Sequence, residues 1–248
     1  MLNRIAVLSD IHGVLPALEA VLAEPDVRAA DRIVLTGDIA AGPQPVQVLD
    51  ALVGLGDRAV WISGNADREL LEHRRGERDT FPDPIAPWAA EQLRPDHLAL
   101  LAALPPSARL RLDGLGDVLF CHATPRDDEE IVLVDSPLER WQEVLGGVDP
   151  DVRTVVCGHT HMPFVRLAHG RTVVNPGSVG MPYGSPGAHW ALLGPGIDLR
   201  TTHYDIEAAV TDVTRDSDYP EITAWADYYV RARATDAEAL AAFGGREG

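Results

Sequence analysis

Short apolar runs alternate along the chain with stretches in which apolar residues recur every three or four positions. Residues 4–9 are rich in β-formers and stop at Asp10. Residues 14–23 carry Leu15, Leu18, Val21 and Leu22 on one helical stripe. The apolar run returns at 32–36 and 59–63, ending at Gly37-Asp38 and Gly64-Asn65, with helical spacing over 44–55 between them. Strand, helix, strand, helix, strand at this spacing predicts parallel βαβ units.

The middle of the chain breaks the rhythm. Residues 73–87 are charged and proline-rich, which reads as a loop, and helical spacing follows over 88–104. Together they predict an excursion over about 73–104. Residues 109–112 and 118–122 flank Asp113-Gly114-Leu115-Gly116-Asp117, a hairpin signal. A helix is expected at 138–145 and a strand at 153–157, ending at Gly158-His159. Strands at 164–167, 172–174, 190–193 and 199–204 make the second half more antiparallel. A helical segment at about 221–243 closes the pattern as a helix or helix pair, with 244–248 as a frayed tail. One domain over 1–248 is expected.

Composition narrows the class. The chain has 248 residues, 46 % hydrophobic and 24 % charged, which excludes disordered, collagenous and coiled-coil chains. No apolar run approaches the ~20 residues of a membrane helix, and no secretion signal is read at the N-terminus, so a cytoplasmic protein without a membrane partner is expected. Cys121 and Cys157 lie inside apolar runs and read as reduced core residues. Lys and Arg number 21 against 38 Asp and Glu, a net charge of −17. Such a surface repels nucleic acid. A small phosphorylated substrate stays compatible, because bound cations invert the sign inside a site.

Polar residues able to bind metal recur just past the strand ends: Asp10 and His12, Asp38, Asn65, His122, then His159 and His161. Loops at that edge of an α/β sheet converge in a crevice. The pairs Asp10/His12 and His159/His161 are spaced i, i+2, which on an extended segment puts both side chains on one side. Two carboxylates, an amide and four imidazoles suit Mn, Fe or Zn better than Ca. Seven ligands exceed one tetrahedral ion, so two ions sharing a carboxylate are expected.

Asp10-Ile11-His12, Gly37-Asp38, Gly64-Asn65-Ala66-Asp67, Cys121-His122 and Gly158-His159-Thr160-His161 resemble, in order, the signature of the calcineurin-like metallophosphoesterases. Asn175-Pro176-Gly177-Ser178-Val179-Gly180 is similar to a turn of the small bacterial and archaeal phosphodiesterase branch. The resemblance implies a four-layer αββα sandwich of two mixed sheets flanked by helices. It implies that Asp10, His12 and His161 hold one ion, that Asn65, His122 and His159 hold the other, and that Asp38 bridges them by giving one oxygen to each. Two divalent ions are implied, manganese first, with iron, zinc, nickel or cobalt as alternatives.

The implied reaction is hydrolysis of a small phosphate ester by in-line attack of metal-activated water, with Asp38, Asn65, His122 and Asp67 as the catalytic set. Many family members carry a proton-donating His where this chain has Ala66; Asp67, His73 or a metal-bound water are the candidates to replace it. Arg68 and Arg126 are candidates to hold a phosphate oxygen; the alternative is pairing with Asp127, Asp128, Glu129 and Glu130. Phe81 and Trp88 either wall a pocket or pack the excursion. Tyr228-Tyr229 is a packing pair or a homo-oligomer contact. The expected function is phosphodiesterase. The alternatives are a phosphomonoesterase, a dinucleoside polyphosphate hydrolase and a non-catalytic interaction scaffold of the same fold.

Overall fold

A parallel strand covered on both faces needs an apolar residue at every position, and β1 (Ile5–Leu8) has them, all four fully buried. The computed structural model describes residues 2–245. After β1 come α1 (Leu15–Ala23), α2 (Pro25–Arg28), β2 (Arg32–Leu35), α3 (Pro45–Val53), β3 (Ala59–Trp61), α4 (Asn65–Arg74), α5 (Ile85–Gln92) and α6 (Pro95–Ala102). The second half runs β4 (Ser107–Leu112), β5 (Gly116–Cys121), α7 (Leu138–Leu145), β6 (Val152–Val156), β7 (Phe164–Ala168), β8 (Arg171–Asn175), β9 (Ala188–Leu193), β10 (Ile197–Thr202), α8 (Ile206–Asp216), α9 (Ile222–Tyr229) and α10 (Asp236–Gly244).

The strands form two five-stranded mixed sheets, in the orders β10-β9-β1-β2-β3 and β4-β5-β6-β8-β7. In the first, β1, β2 and β3 are parallel and β9 joins β1 antiparallel. In the second, β5, β6 and β8 are parallel. The β4–β5 hairpin is antiparallel as predicted. Period-two alternation sorts the side chains into layers. Ile5, Val7, Val34 and Ile62 meet Val118, Phe120, Val156 and Val174 between the sheets. Ala6, Leu8, Ile33 and Leu35 face α1, α3 and the other helices over the first sheet. Trp141, Val144 and Leu145 of α7 cover the second. This is the expected αββα sandwich.

Several boundaries differ from the sequence reading. The loop expected at 73–87 shrinks to 75–84, because α4 continues through Arg74 and α5 starts at Ile85. Pro87 stands in the first turn of α5, where helix amide groups have no intrahelical partner in any case. α8 was not anticipated; its sequence is polar, and Asp205 caps it by accepting from the Ala208 amide at 3.0 Å. Residues 222–243 resolve into the pair α9 and α10. Of the expected tail, 246–248 lie outside the described residues. Cys121 and Cys157 are free and buried, as expected, and burial pushes the Cys157 thiol up to about 12. Among the described residues no helix is long and apolar enough to cross a membrane.

Phe120 is fully buried between the sheets. Phe120→Ala is expected to cost about 3–5 kcal/mol of stability, seen as a lower urea midpoint at an unchanged m-value.

Candidate metal centre

The parallel strands of both sheets end at the same edge, and the seven predicted ligands stand there. Asp10 follows β1, Asp38 follows β2, Asn65 starts α4 just past β3, His122 follows β5, and His159 and His161 follow β6. The structure brings them together as two groups, Asp10 with His12 and His161, and Asp38 with His122 and His159. Asn65 joins the second group, its Oδ1 3.0 Å from His122 Nε2.

The hydrogen bonds decide which atoms face inward. Nδ1 of His12 donates to the Ala41 carbonyl at 3.1 Å, Nδ1 of His122 to Thr36 at 2.7 Å, and Nδ1 of His161 to Met181 at 2.8 Å. A carbonyl only accepts, so in its neutral form each ring presents the lone pair of Nε2. In the first group, Nε2 of His12 and His161 lie 3.2 Å apart, and Asp10 Oδ1 lies 3.3 Å from His161 Nε2. That oxygen is buried and has no hydrogen-bond donor among the described residues. Asp10 Oδ2 is engaged by the Ser9 hydroxyl and, at 3.1 Å, by the His159 amide.

In the second group Asp38 Oδ2 stands 3.3 Å from His122 Nε2 and 3.7 Å from His12 Nε2, between the two groups. Asp38 Oδ1 accepts from the Ala66 amide at 2.8 Å. One oxygen therefore faces both groups, which differs from the expected one oxygen to each; the start of α4 holds the other. With the rings neutral, the nitrogen and oxygen lone pairs of each group converge where a cation would sit, and the mixed imidazole and carboxylate set fits transition-metal ions.

Backbone geometry brings these side chains together in a way the spacing did not predict. Asp10, His12, Asp38, His159 and His161 all have positive φ, between 46° and 66°. The i, i+2 pairs are thus not extended, and left-handed turns aim both members inward. Each such non-glycine residue costs about 1–3 kcal/mol, and such strain gathers at functional sites. Gly64 and Gly158 permit the close approach. A Cβ at Gly64 would run into Asp38 Oδ1, and one at Gly158 into Ser9 Oγ and Asp10 Oδ2.

Electrostatics point the same way. Burial opposes charge on every group here. Asp38 overcomes it at His122 and lifts that imidazole to about 10, and Asp10 lifts His161 above its usual range. Asp38 is held well below the carboxylate range, against burial, chiefly by His122. Burial, with repulsion from His122, pushes His159 down to about 4. The two carboxylates draw positive charge to their imidazole neighbours, which cations held between the groups would supply in place of protons.

The other candidates divide. Asp67 is fully buried, and its oxygens accept from the amides of Ile39 at 2.9 Å and Gly64 at 3.1 Å. Burial and the nearby Asp38 push its carboxyl up to about 7. His73 is not at the site. It lies eight residues along α4 from Asn65, about 12 Å by helical rise, and faces Glu91 at 3.2 Å. Phe81 and Trp88 pack against the main core, Trp88 on Tyr219.

Arg68 and Arg126 line a cavity of about 430 Å³ beside His122, with Ser63, Leu104, Pro106 and Thr124. Arg68 is gripped by Asp128 at 2.9 and 3.0 Å, Glu129 at 2.6 Å and Glu72 at 2.8 Å. Arg126 is gripped by Glu130 and by Glu143 at 2.8 Å. Sequence reasoning missed Ser9, which stands next to a motif, and the aromatic neighbours Tyr183 and Phe243, which do not. Tyr183 stacks on His161 with ring centres 5.6 Å apart, and Phe243 meets His159 edge-on at 6.3 Å.

Comparison with known proteins gives a consistent result. Residues 4–194 match the family model described as the calcineurin-like phosphoesterase superfamily domain. An uncharacterized protein of Methanocaldococcus jannaschii is 28 % identical over 201 residues, covering 73 % of this chain and 77 % of its own. The symmetrical bis(5'-nucleosyl)-tetraphosphatase of Aliivibrio fischeri is 28 % identical over 187 residues, 64 % of this chain and 68 % of its own. A metallophosphoesterase from Sphaerobacter thermophilus superposes with a TM-score of 0.71 at 25 % identity, over 93 % of this chain and 100 % of that one. A hypothetical protein from Pyrococcus horikoshii shares the fold, with a TM-score of 0.78 at 19 % identity over 92 % and 98 % of the two chains.

Filling the centre is expected to stabilise the protein. Mn²⁺ at about a hundred times its dissociation constant adds about 2.7 kcal/mol per site, a rise of about 5–10 °C in Tm, reversed by a chelator. Asp38→Asn is expected to lose most of that rise and to hold at most one ion per chain by elemental analysis.

Proposed function

Because the chain belongs to the calcineurin-like phosphoesterase superfamily, whose members depend on a dinuclear metal centre, we propose that it is a manganese-dependent phosphodiesterase acting on a small phosphate diester. The observation that carries the diester reading is the pairing of Arg68 and Arg126 on the cavity beside His122. A monoester dianion carries one more charge than a diester, and a polyphosphate carries several. Each needs a cation with donors to spare. Both guanidinium groups here already serve carboxylates. A diester brings a single charge, and its second substituent needs only the mixed surface of Leu104, Pro106, Ser63 and Thr124.

The roles follow from the donor set. Asp10, His12 and His161 would hold one ion, Asn65, His122 and His159 the other, with Asp38 shared. Ions so held acidify water and neutralise charge on phosphoryl oxygens. The carbonyls of Thr36, Ala41 and Met181 keep three imidazoles in the tautomer that presents Nε2. Asp67 acts as a positioning residue: by holding the Ile39 and Gly64 amides it ties the loop carrying Asp38 to the start of α4. Ala66 has no proton to give, so the favoured substrates are those whose leaving group departs as a stable anion. Arg68 and Arg126 form the cavity wall that orients the second substituent.

A dinucleoside polyphosphate hydrolase is the second reading, carried by the Aliivibrio fischeri relative so named. The protein loaded with Mn²⁺ is assayed on bis(4-nitrophenyl) phosphate, 4-nitrophenyl phosphate and a dinucleoside tetraphosphate. The diester is expected to be hydrolysed faster than the monoester by about tenfold or more, the factor carried by one charged hydrogen bond the monoester fails to find. Faster monoester or tetraphosphate cleavage would replace the diester reading. No turnover with two ions bound would leave the interaction scaffold.

A further inference from the structure

Three of the four candidate histidine ligands are oriented by a hydrogen bond from Nδ1 to a backbone carbonyl, at Ala41, Thr36 and Met181. His159 differs. Among the described residues its one hydrogen bond is from its backbone amide, to Asp10 Oδ2, and neither ring nitrogen has a partner. An imidazole without such a bond has a broad, two-fold torsion about its ring. Its backbone, at a φ of 66°, adds no restraint on that torsion. Something else must hold the ring where Nε2 or Nδ1 can join Asp38 and His122.

Two rings border it. His122, itself anchored, stands at 5.2 Å and 69°, and Phe243 of α10 meets the His159 ring nearly at right angles, at 6.3 Å and 71°. Phe243 in turn meets Tyr183 edge-on at 6.3 Å, and Tyr183 lies nearly flat on His161. An unbroken row of rings, His161, Tyr183, Phe243 and His159, thus spans one flank of the centre and touches a ligand of each group. Phe243 and Ala239 of α10 are buried in one cluster with Ile131, Leu133 and Met162, which docks the helix. A reciprocal cap starts α10, the Thr235 hydroxyl accepting from the Glu238 amide at 3.2 Å while Glu238 accepts from the Thr235 amide at 2.9 Å. The Gly184 amide donates to Ala234 at 3.0 Å and ties this start to the turn bearing Tyr183. All of α10 lies beyond residue 194, where the family match ends.

We propose that Phe243 is a positioning residue for His159, its perpendicular ring contact replacing the missing hydrogen bond, so that docking of the C-terminal helix sets how tightly the ion on Asp38, His122 and His159 is held. The inference rests on the dinuclear metal centre and is independent of the substrate. Loss of an orienting partner of a metal ligand typically weakens binding 10–100-fold. The effect falls on one ion of the two, because His12 and His161 keep their own carbonyl anchors.

The test titrates the full chain and its Phe243→Ala, Phe243→Leu and Phe243→Tyr variants with Mn²⁺ by calorimetry. The visible spectrum of each Co²⁺-loaded form reports the coordination of each ion. Leucine keeps α10 packed but removes the ring, and tyrosine keeps the ring. The expected result is a wild type with two tight ions. The alanine and leucine variants should keep one and bind the other about 10–100-fold more weakly, with the tyrosine variant restored. Wild-type affinity for both ions in the leucine variant would overturn the proposal. So would equal loss of both ions in all three variants, which would mean a damaged fold. A wild type holding fewer than two ions would refute the metal centre itself, and this inference with it.

Discussion

The structure is organised around one buried negative charge, the carboxylate of Asp38. Its Oδ1 is fixed by the Ala66 amide, and its Oδ2 faces His122 and His12 from opposite groups. A carboxylate with no exposed surface to speak of is stable only where positive charge and hydrogen bonds compensate it. The surroundings meet that need in layers. The Ala66 amide at the start of α4 donates to it, Asp67 braces the backbone on either side, and Gly64 leaves room for its side chain. The imidazoles around it would hold the cations that complete the compensation.

Strain and support are separated in this molecule. Five of the seven candidate ligands stand in left-handed backbone, uncommon outside glycine though less so for aspartate and histidine than for other residues. Its cost is offset by the layers behind it: apolar strands filled on both faces, a dense inter-sheet core and α7 over the second sheet. The centre has two unlike flanks. Beside His122 a cavity opens, walled by arginines held in carboxylate pairs. Beside His159 and His161 stand the rings of Tyr183 and Phe243. One flank suits a substituent of a substrate, and the other suits retention of the ions.

Much of the fold was legible in the residues because its signals are short-range. Apolar runs of four to six residues ending in Gly-Asp, Gly-Asn or Gly-His marked strands and strand ends together, so the ligand positions and the sheet edge came from one pattern. The hairpin at 113–117 was legible for the same reason. α4 and α8 were not, because α4 carries charged residues through most of its length and α8 fully buries only Ala209 and Val213. The extended geometry assumed for Asp10/His12 and His159/His161 was wrong in form though right in outcome. Aspartate and histidine tolerate positive φ better than most residues, but nothing in their spacing marks these five as adopting it.

By itself the sequence determined the chemical inventory: seven oxygen and nitrogen ligands in strand-end positions, an alanine where a proton donor might stand, two buried thiols and a strongly acidic surface. These are properties of residue type and local spacing, which chain order alone preserves. Tertiary structure decided what each group has left to offer. It turned Asp38 so that one oxygen serves both groups, engaged Arg68 and Arg126 with carboxylates, withdrew Asp67 behind two amides, and carried Phe243 from the far end of the chain to the ring of His159. Hydrogen bonds and ring contacts between residues far apart in sequence exist only once the strands are paired. The donors and acceptors of the site were therefore readable in advance, but their availability was not.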